Sequence, residues 1–150
     1  YRVGTGFLST PFILFELTRA GRADVAYRML ENEKMPGWLA EINAGATTVW
    51  ENWDGEASRN HYSPGAVCEW LFKTAGGIIV DGENHFHIEP VMGGSLRFAS
   101  CSFKSMYGEV KVKWKADGTL RVTVPVNTCA DVVWSGRKEC LGSGTYCLQA

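Results

Sequence analysis

Residues 45–55, with the sequence GATTVWENWDG, bring together two carboxylates and two tryptophans, and Asn60-His61-Tyr62 follows shortly after. The apolar residues of this Gly-bounded segment show no helical or strand period that would assign them to a core. Cleavage of a glycosidic bond needs carboxyl groups at the bond, aromatic faces for the C–H surface of the sugar, and polar groups for its hydroxyls. The segment therefore has the residue types of a sugar-cleaving site.

Glu51 lies between Trp50 and Trp53 in a non-helical segment, with no evident i+4 cation as a partner. This setting makes Glu51 a candidate general base that activates a water molecule. A solvated loop glutamate is the alternative, and the residue chemistry alone rates the two evenly. Asp54 could bond sugar hydroxyls, but Asp-Gly pairs are frequent in turns, so Asp54-Gly55 is interpreted as a turn.

The chain has three histidines, and each has two interpretations. His61 precedes a helix-start signal, Ser63-Pro64, and the positive end of a helix dipole favours a neutral imidazole that can bond a sugar hydroxyl. Alternatively, its ring bonds the backbone of the preceding loop. His85 and His87 point to one face of a predicted strand, like half of a zinc site. Because no third ligand follows, they are interpreted as the polar outer face of that strand, and no metal is predicted.

Charge and composition argue against several classes of function. With 15 basic and 16 acidic residues, the formal net charge is -1, which gives no general attraction to nucleic acid or to an anionic membrane. No apolar run reaches the roughly 18 residues that a membrane span needs. Gly4-Thr5-Gly6 lacks the rest of a dinucleotide fingerprint, so no cofactor is predicted. The partner is expected to be uncharged or small.

The five cysteines stand at irregular spacing without a C-x-x-C pair, which disfavours a metal site or a disulfide framework. Most are interpreted as buried small hydrophobic residues in a reducing compartment. Cys140 and Cys147 could close a terminal loop, and the sequence does not decide this. Because the chain starts at Tyr1 with no signal-peptide layout, we expect a piece of a longer, cytoplasmic polypeptide.

The elements that must position these residues are predicted to be helical as far as residue 77. A nearly all-apolar helix capped by Thr10 is expected over residues 10–21, and residues 22–33 carry a single apolar stripe. Ser63 is expected to cap a third helix that ends at Gly76-Gly77. The connection of roughly 30 residues between the second and third helices is too long for an ordinary linker, which favours a functional loop.

Beyond residue 77 the apolar residues alternate with polar ones. The segments 110–115 and 120–126 flank Asp117-Gly118, which is a hairpin-turn signal. Further strands are predicted near residues 86–88, 96–103, 132–134 and 145–148. The second half of the chain is therefore expected to form a small antiparallel β-sandwich.

A series of motifs runs in order along the chain: TGF at 5–7, TPF at 10–12, GRADVAYRML at 21–30, GATTVWE at 45–51, NHYSPGAVCEWL at 60–71, FHIEP at 86–90, GG at 93–94 and SMYG at 105–108. Together they resemble the C-terminal end of bacterial α-L-rhamnosidases of glycoside hydrolase family 78. The resemblance implies an α+β chain, with the last helices of an incomplete (α/α)6 barrel over residues 1–77 and a C-terminal β-sandwich over residues 78–150.

This family hydrolyses terminal α-L-rhamnose from glycosides with inversion, using one carboxylic acid and one carboxylate. By resemblance, Glu51 matches the general base and His61 matches a histidine that contacts the sugar, while Trp50 or Trp53 would wall the pocket. The family's general acid belongs to a segment upstream of residue 1. The implied partners are therefore a rhamnoside and the missing N-terminal part of the same polypeptide, and the chain alone is expected to be inactive.

Residues 56–60 form a shorter connection than in many relatives, so the rim of the pocket is expected to differ. A non-catalytic carbohydrate-binding or structural module is one alternative, and another (α/α)6-barrel glycoside hydrolase is a second. Catalysis is favoured over binding alone if Glu51 and His61 open onto one concave pocket with space for a water molecule beside the carboxylate, and the catalytic hypothesis fails if the two residues diverge. We also expect the helices of the first half to expose apolar surface that the rest of the barrel would cover.

Overall fold

The computed structural model describes residues 1–150 and divides them into two compact units, Tyr1–Trp70 and Leu71–Ala150. The first unit is helical, and the second contains two four-stranded sheets. The predicted α+β class with a C-terminal β-sandwich is confirmed. The predicted domain boundary after residue 77 lies a little further along the chain than this division and stays a prediction.

The first helix, α1, spans Thr10–Arg19, with Pro11 in its first turn, where a missing N–H breaks no helical hydrogen bond. The predicted side-chain cap by Thr10 is wrong, because Thr10 lies inside the helix. Its buried hydroxyl faces the carbonyl oxygens of Gly6 and Thr5, at 2.9 and 3.1 Å. Thr10 therefore binds the segment before the helix instead of ending the helix.

The core of the helical unit forms around α2, which spans Ala23–Leu30 and buries Ala26, Tyr27 and Met29. The ring of Tyr27 meets the edge of Trp70 with centroids 5.0 Å apart. The indole Nε1 of Trp70 donates to the Thr18 hydroxyl at 3.0 Å. Aromatic packing and one satisfied indole N–H thus join α1, α2 and the helix that carries Trp70.

Three short helices complete this unit: α3 at Trp38–Asn43, α4 at Tyr62–Gly65 and α5 at Val67–Trp70. A π-helical segment, Leu71–Ala75, follows α5 in the chain, so the predicted third helix forms as consecutive pieces. The predicted cap by Ser63 is wrong, since His61 is the N-cap residue of α4. The sequence did not indicate α3, because six residues are too few to show a helical period.

The sandwich is built from two sheets with the strand orders β1-β2-β6-β7 and β3-β4-β5-β8. The first sheet contains β1 at Ile78–Val80, β2 at His85–Ile88, β6 at Cys129–Trp134 and β7 at Arg137–Leu141. The second contains β3 at Phe98–Ser105, β4 at Gly108–Lys115, β5 at Thr119–Val124 and β8 at Gly144–Gln149. The strands are antiparallel except for β2 and β6, whose parallel pairing departs from the expected all-antiparallel sandwich.

The predicted hairpin is confirmed as β4 and β5, with Trp114 opposite Leu120. Its turn contains Gly118 at φ 88°, a left-handed conformation that favours glycine, and the carboxylate of Asp117 accepts from the Thr119 amide at 2.9 Å. Trp114 is fully buried, and its Nε1 donates to the carbonyl of Ala75 at 2.7 Å. The alternating pattern of this hairpin therefore fills the core of the sandwich.

The polar outer face predicted for β2 is confirmed, because Phe86 and Ile88 are buried while His85 and His87 are half-exposed. The imidazole Nε2 of His87 lies 2.9 Å from the carboxylate of Glu89. All five cysteines are free and none is buried, so the predicted burial of most of them is wrong. Cys140 and Cys147 belong to different sheets. No helix is long and apolar enough to cross a membrane.

Candidate active site

A cleft of about 570 Å³ opens in the helical unit. Two of the predicted site residues, Glu51 and Trp53, line it, whereas His61 and Trp50 do not. The single pocket expected to hold both Glu51 and His61 is therefore not found in this chain, where His61 reaches the cleft only through its contact with Phe7. The other lining residues come from the loop around Glu51 and from two segments that the residue chemistry did not single out: Thr5, Gly6, Phe7, Met35, Pro36, Asn52 and Asp54.

Main-chain hydrogen bonds hold the loop that carries Glu51. The amide of Glu51 donates to the carbonyl of Ser58 at 2.7 Å, and the amide of His61 donates to the carbonyl of Val49 at 2.9 Å. In return, the Ser58 amide donates to Oε2 of Glu51 at 3.3 Å. This reciprocal pair fixes one oxygen of the half-buried carboxylate and leaves Oε1 for a water molecule or a substrate.

The tip of the loop is a turn, as interpreted for Asp54-Gly55. Oδ1 of Asp54 accepts from the amide of Glu56 at 3.0 Å, and Gly55 has φ 74°. A Cβ on Gly55 would lie 3.1 Å from the ring of Trp50. Trp50 therefore packs beneath the turn, with the Arg59 guanidinium 5.8 Å from its ring centroid, and supports the loop from outside the cleft.

Trp53 faces the cleft because a second tryptophan holds it from α3. The rings of Trp53 and Trp38 meet edge to face, with centroids 5.6 Å apart and an interplanar angle of 86°. Trp38 is buried, and its Nε1 donates to the carbonyl of Pro64 at 2.9 Å. An anchored indole thus supports the aromatic wall of the cleft.

His61 caps a helix next to the cleft. Its Nδ1 accepts from the amide of Ser63 at 3.2 Å, which caps α4. An imidazole that accepts at Nδ1 carries its proton on Nε2, so the ring is neutral and Nε2–H is a hydrogen-bond donor. The ring stacks on Phe7, a cleft residue, with centroids 4.8 Å apart, and on Tyr62 at 5.0 Å. The ring therefore bonds the backbone of the helix that follows it and not that of the preceding loop, while a contact between Nε2 and a sugar stays a prediction.

Residues 5–7 form another part of the cleft lining, and buried hydroxyl groups hold their main chain by hydrogen bonds. The hydroxyl of Thr10 contacts the carbonyls of Thr5 and Gly6, and Ser63 Oγ donates to the carbonyl of Phe7 at 2.8 Å. A separate bond from the Val3 amide to the carbonyl of Pro36, 3.1 Å long, joins this segment to the third part of the lining. In the sequence, these three residues were noted only as the TGF motif, one of the motifs that carry the family resemblance.

A buried acid, Glu41 on α3, was also missed. Only 2 % of Glu41 is exposed, and burial raises the pKa of its carboxyl above the ordinary value. Its Oε2 accepts from the amide of Trp50 at 3.5 Å, while Oε1 is buried without a partner. No sequence signal indicated Glu41, because α3 is too short to show a helical period.

The cleft thus combines one oriented carboxylate, an aromatic wall and a neutral imidazole next to a lining ring. These groups suit an uncharged, hydroxyl-rich ligand with an apolar face. No group of three or more His, Cys, Asp or Glu side chains in residues 1–150 is arranged to hold a metal ion.

Two family models match the chain. The bacterial alpha-L-rhamnosidase 6 hairpin glycosidase domain matches residues 1–75, and the bacterial alpha-L-rhamnosidase C-terminal domain matches residues 79–146. The chain belongs to the bacterial α-L-rhamnosidase family. The resemblance noted in the sequence is confirmed, and the helices of the first unit belong to a six-hairpin glycosidase domain.

Individual members agree with this assignment. An α-L-rhamnosidase of Streptomyces avermitilis is 36 % identical over an alignment 148 residues long, which covers 88 % of this chain and 14 % of the relative. The native α-L-rhamnosidase structure from Aspergillus terreus matches 99 % of this chain with a TM-score of 0.92 and 36 % identity, over 20 % of that chain. The Streptomyces avermitilis α-L-rhamnosidase structure in complex with L-rhamnose matches 96 % of this chain with a TM-score of 0.88 and 32 % identity, over 18 % of that chain. The chain therefore spans less than a quarter of the length of these rhamnosidases.

Proposed function

We propose that this chain is part of a longer α-L-rhamnosidase that hydrolyses terminal α-L-rhamnose from glycosides with inversion, and that it supplies the general base, Glu51. The position of Glu51 carries the proposal: the carboxylate lines the cleft, one oxygen is fixed by the Ser58 amide, and the other is free to accept a proton. The family assignment supports the rhamnoside as substrate.

The reaction needs a second carboxyl group, and we assign it to the rest of the polypeptide. That acid gives its proton to the glycosidic oxygen as the bond to the anomeric carbon breaks. Glu51 Oε1 takes a proton from a water molecule, whose oxygen bonds the anomeric carbon from the opposite face. The two carboxyl groups must stand about 6.5–9.5 Å apart to leave room for this water.

The remaining cleft residues are assigned to binding the sugar. The ring of Trp53 offers an apolar surface for the C–H face of rhamnose, which carries a methyl group in place of a hydroxymethyl group. His61 offers Nε2–H as a donor to a sugar hydroxyl and holds the ring of Phe7 in the wall. Trp50 supports the loop and is assigned no contact with the sugar.

The rest of the polypeptide is expected to cover the apolar side chains that the helical unit leaves exposed. Leu8 is 89 % exposed, Phe12 is 60 % exposed and Ile42 is 62 % exposed. The predicted exposure of apolar surface by the first half of the chain is thus confirmed. We infer that the missing part of the same polypeptide packs on this surface, since such side chains are commonly buried in a complete domain.

The test follows the stereochemistry of the product. The intact enzyme, incubated with an aryl α-L-rhamnoside in an NMR tube, is expected to release β-L-rhamnose first, with the α anomer appearing only through mutarotation. Release of α-L-rhamnose first would contradict an inverting mechanism with Glu51 as base. An enzyme that cleaves other aryl glycosides and leaves the rhamnoside intact would contradict the substrate assignment.

A further inference from the structure

Glu41 is a carboxyl group in an environment that this segment alone creates. The side chain is 2 % exposed and Oε1 has no hydrogen-bond partner, although a buried polar atom without a partner is unfavourable. Burial raises the pKa of Glu41, which favours the neutral acid, and no ionised side chain contributes to that shift. Because residues of this chain already cover Glu41, the rest of the polypeptide cannot reach it without rearranging them.

Helix α3 contacts two residues of the loop, Trp50 and Trp53, which lie on either side of Glu51 in the chain. Oε2 of Glu41 accepts the amide hydrogen of Trp50, which immediately precedes Glu51 in the chain. Trp38 lies one turn away on the same helix, and its ring packs edge to face against the ring of Trp53. The helix therefore restrains the loop on both sides of Glu51, once through the main chain and once through a side chain.

Three consecutive residues of the loop then have a hydrogen-bonded main chain. The carbonyl of Val49 accepts from His61, the amide of Trp50 donates to Glu41, and the amide of Glu51 donates to Ser58. Two of these partners are main-chain groups that almost any residue supplies. Glu41 is the side-chain partner, so it is the one that a substitution can remove.

We propose that Glu41 is a positioning residue, whose buried carboxyl holds the Trp50 amide and thereby fixes the direction in which Glu51 enters the cleft. Glu41 does not line the cleft, so it acts through the loop and does not contact the sugar. This inference rests on the proposed function of Glu51. It explains why an acid is buried at a position where an apolar residue would avoid the unpaired oxygen.

The experiment compares Glu41→Gln and Glu41→Leu in the intact enzyme, with an aryl α-L-rhamnoside as substrate. Glutamine is isosteric and keeps a neutral acceptor, so kcat is expected to stay within about threefold of the wild-type value. Leucine keeps the volume and removes the acceptor, so kcat is expected to fall about 10- to 100-fold while KM changes by less than about threefold. Thermal unfolding of each variant shows that the loss is measured on folded enzyme.

A wild-type kcat in Glu41→Leu, or an equal loss in Glu41→Gln, would overturn the positioning role. If the leucine variant does not fold, Glu41→Asp replaces it, because the shorter acid withdraws its oxygen from the Trp50 amide. A wild-type kcat in folded Glu41→Asp would overturn the inference in the same way. Glu51→Gln is measured in the same series: turnover retained there refutes the base assignment itself, whereas an inactive Glu51→Gln beside a fully active Glu41→Leu refutes only the role of Glu41.

Discussion

Glu51 is oriented by a main-chain amide, without the help of a cationic side chain. The Ser58 amide donates to Oε2, and the Glu51 amide returns a bond to the Ser58 carbonyl. The hydrogen bond from the amide fixes the direction of one carboxylate oxygen, and a base that acts on a single positioned water molecule needs such alignment. This arrangement suits a base that must accept a proton from water and release it in each cycle.

A proline at position 58 tests this bond. Ser58→Pro removes the N–H that fixes Oε2, and we expect kcat of the intact enzyme to fall about tenfold or more because the carboxylate is no longer aligned. Ser58→Ala is the matched control, since it keeps the amide, and its kcat should stay near the wild-type value. Steady-state kinetics of both variants on an aryl rhamnoside decide the question; equal kcat values for the proline and alanine variants would contradict the account.

At the scale of single residues, the sequence was informative where a side chain departs from every packing pattern. Glu51 and Trp53 stood out because no helix or strand period accounts for them, and both line the cleft. Phe7 and Glu41 escaped notice for the opposite reason, since each sits in a stretch that fits ordinary helix or loop chemistry. Phe7 matters through its contacts with His61 and Ser63, which are distant in the chain, and Glu41 matters through the amide of Trp50 in the neighbouring loop, so no local pattern records either role.

At the scale of elements, α3 shows how a six-residue helix can organise a site. It contributes nothing to the lining of the cleft, but Trp38 and Glu41 project from one of its faces onto the loop. Most of its stability must come from this packing, because isolated helices shorter than about 12 residues are marginal in water. A substitution in α3 is therefore expected to change the position of the loop more than the stability of the fold.

The buried carboxyl of α3 gives the protein a pH dependence of known sign. The pKa of Glu41 is raised above its ordinary value of 4.5 by burial, with the Trp50 amide acting in the opposite direction. The stability that the neutral acid contributes is therefore complete below the unfolded-state pKa and is lost as the pH rises through the folded-state pKa. Glu41→Gln cannot ionise, so its Tm should exceed that of the wild type by an amount that grows with pH and then levels off.

Thermal unfolding of the two intact enzymes between about pH 4 and pH 8 checks this expectation, since every other titrating group is shared and cancels in the difference. A difference in Tm that stays constant over this range would show that Glu41 has no raised pKa.

The elements that the sequence predicted are those with local signals. The hairpin of β4 and β5 followed from strict alternation around Asp117-Gly118, and the structure forms it as two antiparallel strands. The parallel pairing of β2 with β6 joins strands that are distant in the chain, so neither the alternation of apolar and polar residues nor a turn motif predicts it. The cap of α4 was assigned to Ser63 because serine is a frequent N-cap residue, whereas the structure uses the imidazole of His61.

At the scale of the whole molecule, both units have a buried core and both expose large apolar side chains. The sandwich buries Phe86, Trp114 and Leu120 almost fully but leaves Phe98 and Met106 exposed. The helical unit leaves Leu8, Phe12 and Tyr62 exposed, although each is large and apolar or aromatic. Exposed apolar side chains on the helical unit are expected if the rest of the six-hairpin domain packs on them.

A chain limited to residues 1–150 is therefore expected to bind an environment-sensitive dye such as ANS more strongly, per mole, than the intact enzyme does. It should also fail to hydrolyse an aryl rhamnoside, because the general acid is assigned to another segment. Fluorescence titration and a rhamnoside assay on both proteins test these points. Rhamnoside hydrolysis by the 150-residue chain would place both carboxyl groups within it and contradict the assignment.

The most direct test of the central claim is the turnover number of Glu51→Gln in the intact enzyme. The substitution removes the base and changes the volume very little, so kcat is expected to fall by about three orders of magnitude or more, with Tm nearly unchanged. Glu56→Gln, an exposed acid in the same loop, is the matched control and should keep the wild-type kcat. A Glu51→Gln enzyme that turns over an aryl rhamnoside at a rate close to that of the control would contradict the assignment of Glu51 as the general base.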